Sequence, residues 1–149
     1  MSPRVDFYIL EQEGHGGGRT REQLSCRLAE KAWKSGHHVF LLVDSPVALE
    51  RMDELLWTFR DESFVPHMAA TTGEPFPDMR DAPIVVGAGE VPEGAVDVLI
   101  NLTENIPSAY TQFARVAEII DASELARSAG RERFRYYREH ECEVHAHNL

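Results

Sequence analysis

The sequence predicts an α/β fold whose largely parallel sheet is covered on both faces by helices. Three observations carry this expectation. Short runs of β-branched, aromatic and aliphatic residues alternate along the chain with segments of helical spacing, the pattern that sets strands side by side through helical crossovers. One of these runs, HVFLLV at 38–43, is apolar throughout, as suits a strand buried on both sides. With 149 residues, 43% of them hydrophobic and 27% charged, the chain is also large enough to bury such a sheet as one domain over 1–149 without disulfide staples.

Each element has its own signal. VDFYIL (5–10) reads as the first strand. EQEGHGGG then interrupts regular structure, and Thr20 with Gln23 forms a capping-box signature that opens a helix ending at Gly36. In that helix Gln23, Arg27, Glu30 and Lys34 share a narrow polar stripe, while Leu24, Cys26, Leu28, Ala29, Ala32 and Trp33 fill the rest, which predicts extensive burial. After HVFLLV, Ser45 and Pro46 suit the N-cap and first turn of a second helix carrying Leu49, Met52, Leu56 and Phe59. SFVPH (63–67) reads as a short strand that Pro66 confines to an edge or an end. Residues 68–82, with two prolines and no period, read as a loop. PIVVG (83–87), VDVLINL (96–102) and VAEII (116–120) are three further strands, with a short helix from Pro107 through Phe113 between the last two. The final helix runs from Ser123 to about His140, and a disordered tail is expected at about 141–149.

Composition narrows the function classes. A formal net charge of −10 argues against a broad nucleic-acid-binding surface, which needs clustered Lys and Arg. Two cysteines, Cys26 and Cys142, make no disulfide framework and suit a reduced compartment. The opening MSPRVDFYIL lacks a basic segment followed by a long apolar run, so no signal peptide is expected. No run approaches the roughly 18 apolar residues of a membrane span. A cytoplasmic protein without a membrane partner is the simple reading.

The motifs that suggest chemistry fall short of it. GHGGGRT (14–20) lies between a strand and a helix, where phosphate loops occur, but Arg19 stands where both the P-loop and the dinucleotide pattern beginning at Gly14 need glycine. A small nucleotide-binding protein or enzyme using Gly14 to Thr20 stays as the alternative reading. His140, Cys142, His145 and His147 are ligand types, but they alternate along a terminus without the paired spacing of a metal site. Ser25, Ser35, Ser45 and Ser63 sit in helix or cap contexts rather than in a nucleophile elbow. No catalytic residue, metal or cofactor is assigned, and an enzyme is not the expectation.

Two surfaces suggest binding instead. In the final helix Arg127, Arg131, Phe134 and Arg138 share one face, while Leu125, Ala129 and Tyr136 fall opposite and are expected to pack on the sheet, with Glu132 awkwardly near them. Arginines beside an aromatic suit an acidic peptide with a hydrophobic anchor; the plain alternative is a solvated arginine face. Gly130 costs about 1 kcal/mol relative to Ala in mid-helix, and is read as permitting close packing. The second surface gathers Trp57, Phe59 and Phe64 around Arg60, Asp61 and Glu62. It is either a core corner under the 68–82 loop or an apolar patch kept for a partner.

Taken in order, FYIL, DELLWTFRDESFVPH, DVLINL and RERFRYYR resemble the chi subunit family of bacterial DNA polymerase III holoenzyme. The resemblance implies a single-domain, three-layer Rossmann-like fold without catalysis of its own, serving as an accessory subunit of the clamp loader in DNA replication. It implies two partners: the psi subunit, and the acidic C-terminal tail of single-stranded-DNA-binding protein, which ends in Pro-Phe. A repair helicase is a further candidate partner at the psi surface. The resemblance places tail binding on Ile120, Arg127, Arg131 and Phe134, and the psi-facing surface on Phe64 with Trp57, Val65, Pro66 and His67. The usual pattern favours Lys at the position of Arg127 and Tyr at that of Phe134, so here the charge is kept and a hydroxyl is lost.

Overall fold

Among the described residues seven strands hydrogen-bond in parallel, and helices lie on both faces of the sheet they form. The computed structural model of the chain describes residues 2–10, 20–58, 66–69, 83–92, 94–95 and 97–148. In chain order these form β1 (Arg4–Ile9), α1 (Arg21–Lys34), β2 (Val39–Val43), α2 (Pro46–Thr58), β3 (His67–Ala69), β4 (Ile84–Ala88), β5 (Val98–Asn101), β6 (Arg115–Ile120), α3 (Glu124–Glu139) and β7 (Glu143–Asn148). The short helix expected after Pro107 is a 3-10 turn over Ser108–Gln112. The strand order is β3-β4-β2-β5-β6-β1-β7.

Alternation along the strands divides the core in two. Leu41, Ile84, Ile100 and Ile119 meet Leu24, Cys26 and Ala29 of α1 and Met52 and Leu56 of α2. On the other face Val5, Phe7, Phe40, Leu42, Leu99 and Ile120 meet Tyr110, Phe113 and Tyr137. β2 lies mid-sheet and is buried along its whole length, as its continuous apolar run requires. At Gly87 a side chain is excluded, because a Cβ there would stand 2.6 Å from the Phe40 ring. The helix starts follow their sequence signals. Thr20 and Gln23 form the capping box, and the Ser45 and Ser123 hydroxyls accept from the Ala48 and Ala126 amides at 3.1 Å each. Gly36 ends α1 at φ +89°, a conformation that favours glycine.

Three expectations change. The polar stripe of α1 is not wholly solvated: Glu30 is buried, with Lys34 Nζ 3.9 Å away. The tail expected to be disordered at about 141–149 instead forms β7 over Glu143–Asn148, paired in parallel with β1 in the register Val5↔Val144, Phe7↔Ala146 and Ile9↔Asn148. A polar terminus looks frayed by itself, but β1 would otherwise leave its backbone groups unpaired, and a sheet edge takes any strand that alternates correctly. Glu141, at φ 64°, lets the chain reverse out of α3, and the Cys142 amide donates to Tyr137 O at 3.0 Å. Within the 68–82 segment read as a loop, Met68 and Ala69 belong to β3; its remainder and the 14–19 stretch lie outside the described residues. Of the strand expected over 63–67, residues 63–65 lie outside the described residues; β3 begins only after Pro66, at His67, and among the described residues it forms one edge of the sheet. Among the described residues no helix is long and apolar enough to cross a membrane.

Candidate functional site

The site is built where β6 hands over to α3. Asp121 Oδ1 accepts from the Ser123 amide at 2.8 Å, and this backbone hydrogen bond holds its carboxyl below the usual carboxylate range. α3 then lies close over the sheet. Gly130 is buried, and a Cβ there would sit 2.9 Å from Ile120 Cδ1, so glycine at this point sets how near helix and strand come.

A buried polar cluster fixes the rotation of the helix. Glu118, in the middle of β6, is fully buried. Its Oε1 accepts from Arg133 Nε at 3.1 Å; its Oε2 accepts from the Tyr137 hydroxyl at 2.7 Å and from Asn101 Nδ2 at 2.9 Å. Arg133 also donates to Glu104 O at 2.9 Å. Burial pushes the Glu118 carboxyl up, against the pull of Arg133, Asn101 and Tyr137. The Tyr137 phenol is also pushed up, by burial and then by the Glu118 charge.

This cluster corrects the expected packing of α3. Leu125 is 86% exposed, Tyr136 is 38% exposed and Ala129 is half-buried, whereas Gly130, Arg133 and Tyr137 are buried and Ala126 and Phe134 pack on the core. The helix turns toward the partners that Glu118 needs, because a buried carboxylate without them would be far costlier than two exposed apolar side chains. Glu132 is exposed, so its apparent conflict disappears.

Between α3 and the sheet runs an open groove of about 580 Å³. Arg127, Gly130, Arg131 and Phe134 of α3 form one side; Phe7 and Ile9 of β1, Ile120 of β6, and Ala146 and Asn148 of β7 complete it. The groove brings together all four residues expected for a tail: Ile120, Arg127, Arg131 and Phe134. The Phe134 ring packs on Phe7 with centroids 5.3 Å apart. Arg127 Nη2 donates to Leu10 O at 3.4 Å, while its Nε has no hydrogen-bond partner among the described residues. A second hollow continues past Arg131 and Phe134 to Arg135, Arg138 and Glu139, with Arg138 over the Phe134 ring at 6.0 Å. Chemically this is an apolar floor under a row of guanidinium groups, suited to an anionic chain with a hydrophobic end.

The second expected surface is described only in part, since Phe59, Phe64 and Val65 lie outside the described residues. Trp57 is 45% exposed and its ring lies 4.4 Å from that of His67. Pro66 is half-buried. His67, expected to face a partner, has a buried side chain with Nε2 3.0 Å from Asp53 Oδ1, and its ring packs against that of Trp57. His140, Cys142, His145 and His147 do not converge. His140 Nδ1 lies 2.8 Å from Tyr136 O, His145 pairs with Glu143, His147 pairs with Asp6, and Cys142 is buried. Among the described residues no group of three or more His, Cys, Asp or Glu could hold a metal.

Sequence reasoning missed the Glu118 cluster and the contributions of Phe7, Ile9, Ala146 and Asn148 to the groove. One signal for the cluster was present: Glu118 falls two residues from Val116 and from Ile120 in a strand, hence on their buried face.

A sequence model of the family described as DNA polymerase III chi subunit, HolC, matches residues 1–145. The chain belongs to this family. DNA polymerase III subunit chi of Pseudomonas aeruginosa is 38% identical over 146 residues, covering 98% of this chain and 96% of that protein. The subunit chi of Escherichia coli is 30% identical over 134 residues, covering 89% and 88% respectively. Among solved structures, that of T4 UvsW superposes with a TM-score of 0.70 at 12% identity, covering 98% of this chain and 41% of that one, a likeness of fold alone. As a chi subunit, the chain has an accessory role in DNA replication beside the other proteins of the polymerase III holoenzyme.

Proposed function

We propose that this chi-family chain is a non-catalytic, single-domain cytoplasmic adaptor that ties the psi subunit of the clamp loader to the acidic C-terminal tail of single-stranded-DNA-binding protein. The observation that carries the reading is the groove in which Arg127 and Arg131 flank an apolar floor of Phe7, Ile120 and Phe134. A tail ending in Pro-Phe lays its last ring on that floor and its carboxylates against the two guanidinium groups. On a chain of net charge −10 such a patch is the exception, so an acidic ligand is attracted here and repelled elsewhere. Phe134 contributes ring packing and no hydroxyl.

The psi subunit takes the surface of Trp57 and Pro66 beside the β3 edge, where the Trp57 ring packs on that of His67, and Phe64 and Val65, outside the described residues, are assigned to it from the family resemblance. Among the described residues β3 and β7 are the two edges of the sheet, so one partner leaves the other site free. A repair helicase using the psi surface competes with psi and not with the tail.

Calorimetry with a tail peptide tests the reading. Arg131→Ala weakens binding at least about tenfold, which needs only about 1.4 kcal/mol, less than the roughly 1.5–3 kcal/mol that a hydrogen bond to a charged group contributes. Added salt weakens the parent as well. Equal affinity of parent and variant for the peptide refutes the site. At the other edge, Phe64→Ala abolishes psi binding with the melting temperature unchanged; a large loss of thermal stability returns Phe64 to the core.

A further inference from the structure

Resting on the docking reading above, we propose that the C-terminal strand β7 is the second wall of the groove, with Ala146 setting the width that admits the aromatic end of the ligand and Asp6 and His147 clamping the strand from the far face of the sheet. β7 presents Val144, Ala146 and Asn148 toward α3, and Glu143, His145 and His147 toward the α1 face. Val144 packs on the core, but Ala146 is exposed and lines the groove together with Asn148. In register they stand beside Phe7 and Ile9, the apolar floor. Alanine is a poor strand former, and here its small side chain leaves open the space that a larger residue would fill. Gly130 on the facing helix is the other small residue of the lining. The groove is therefore narrow enough to hold a ring and wide enough to admit it because two facing elements each carry a small residue.

An edge strand at a chain terminus frays readily unless tied down. β7 has β1 on one side and, among the described residues, no strand on the other. Its tie is on the α1 face. His147 Nε2 lies 2.9 Å from Asp6 Oδ1, and the His147 ring stacks on Tyr8 at 4.9 Å with 18° between planes. Asp6 is itself held by Arg4 Nε at 3.2 Å and Arg115 Nη2 at 3.4 Å, so the clamp is anchored in β1 and β6, the strands that supply the groove floor. Wall and floor are thus fixed to each other from behind the site. The ligand is an acidic peptide with a free C-terminal carboxylate and a terminal aromatic, whose ring enters between Ala146 and Phe134.

The experiment uses the full chain and two tail peptides, one ending in Phe and one in Ala, with calorimetry and thermal melts on each variant. Ala146→Leu is expected to weaken the Phe-ended peptide at least tenfold and to leave the weaker Ala-ended peptide within about twofold; Arg131→Ala weakens both. Should Leu lower the melting temperature, Ala146→Val, which suits a strand, serves as the second variant with the same expectation. His147→Ala is expected to speed amide exchange over 143–148 and weaken the Phe-ended peptide several-fold, and His147→Gln, which keeps a donor, restores both. Unchanged binding of the Phe-ended peptide by Ala146→Leu and Ala146→Val, with Arg131→Ala still impaired, overturns the wall and leaves the docking site standing. Equal losses for both peptides overturn the assignment of width to Ala146. No loss in any variant, Arg131→Ala included, overturns the docking reading itself.

Discussion

Replacing Glu118 by Gln alters the side chain by one atom yet removes the acceptor set on which α3 is seated. Three donors converge on the carboxylate: Arg133 Nε at 3.1 Å, Asn101 Nδ2 at 2.9 Å and the Tyr137 hydroxyl at 2.7 Å. An amide offers one oxygen. Turned toward Arg133, it sets its NH₂ against Asn101 and Tyr137; turned the other way, it sets it against the guanidinium. In both cases Arg133, whose side chain is 8% exposed, keeps its charge without a counter-charge. Breaking a buried pair in this way costs about 3–5 kcal/mol. In a domain of this size each kcal/mol is about 2–4 °C, so the melting temperature should fall by roughly 6–20 °C. Thermal melts and urea titrations at neutral pH measure it. The double variant Glu118→Met with Arg133→Leu should recover most of the loss, since apolar residues of similar volume often replace a buried ion pair at little cost. A shift for Glu118→Gln below about 3 °C would refute the claim that this cluster holds the helix.

Three further outcomes follow from particular contacts. Gly130→Ala gains about 1 kcal/mol of helix propensity and loses about 0.5–1.5 kcal/mol as Ile120 leaves its rotamer; stability should barely move while tail-peptide affinity drops, and unchanged affinity would remove Ile120 from the floor. The Cys26 thiol is pushed up to about 12 by burial and then by the nearby Glu22, so mass spectrometry should find it unalkylated by iodoacetamide in the folded chain at mildly alkaline pH and alkylated in urea; fast labelling of the native chain would contradict its burial. Burial raises the Asp6 carboxyl, but His147, Arg4 and Arg115 together outweigh it and hold the group below its usual range. Because the folded value is depressed, the stabilisation is present above the unfolded value of about 3.9 and is lost as pH falls through the folded value. The stability gap between parent and Asp6→Asn should therefore narrow in strong acid, and a gap as wide at the lowest pH as at pH 5 would argue against the charged clamp.

The sequence by itself determined the local elements and their class. β2 is apolar along its length because it is covered on both sides, so its run could be read without knowing its neighbours. The caps at Thr20, Ser45 and Ser123 lie within three residues of the amides they satisfy. Arg127, Arg131 and Phe134 share a face by helical spacing alone. Tertiary structure decided what depends on residues distant in the chain. The rotation of α3 follows from Glu118, because nothing in the helix itself marks Arg133 and Tyr137 for burial until a buried carboxylate on another element claims their donors. That is why Leu125 and Tyr136, apolar by type, are left exposed. β7 exists because β1, at the other end of the chain, offers a free parallel edge with matching alternation; nothing in HECEVHAHNL announces that edge. The groove belongs to neither segment. It forms only where the helix that Glu118 rotates meets the strand that β1 recruits, since the width between two elements is a property of their packing and not of either sequence.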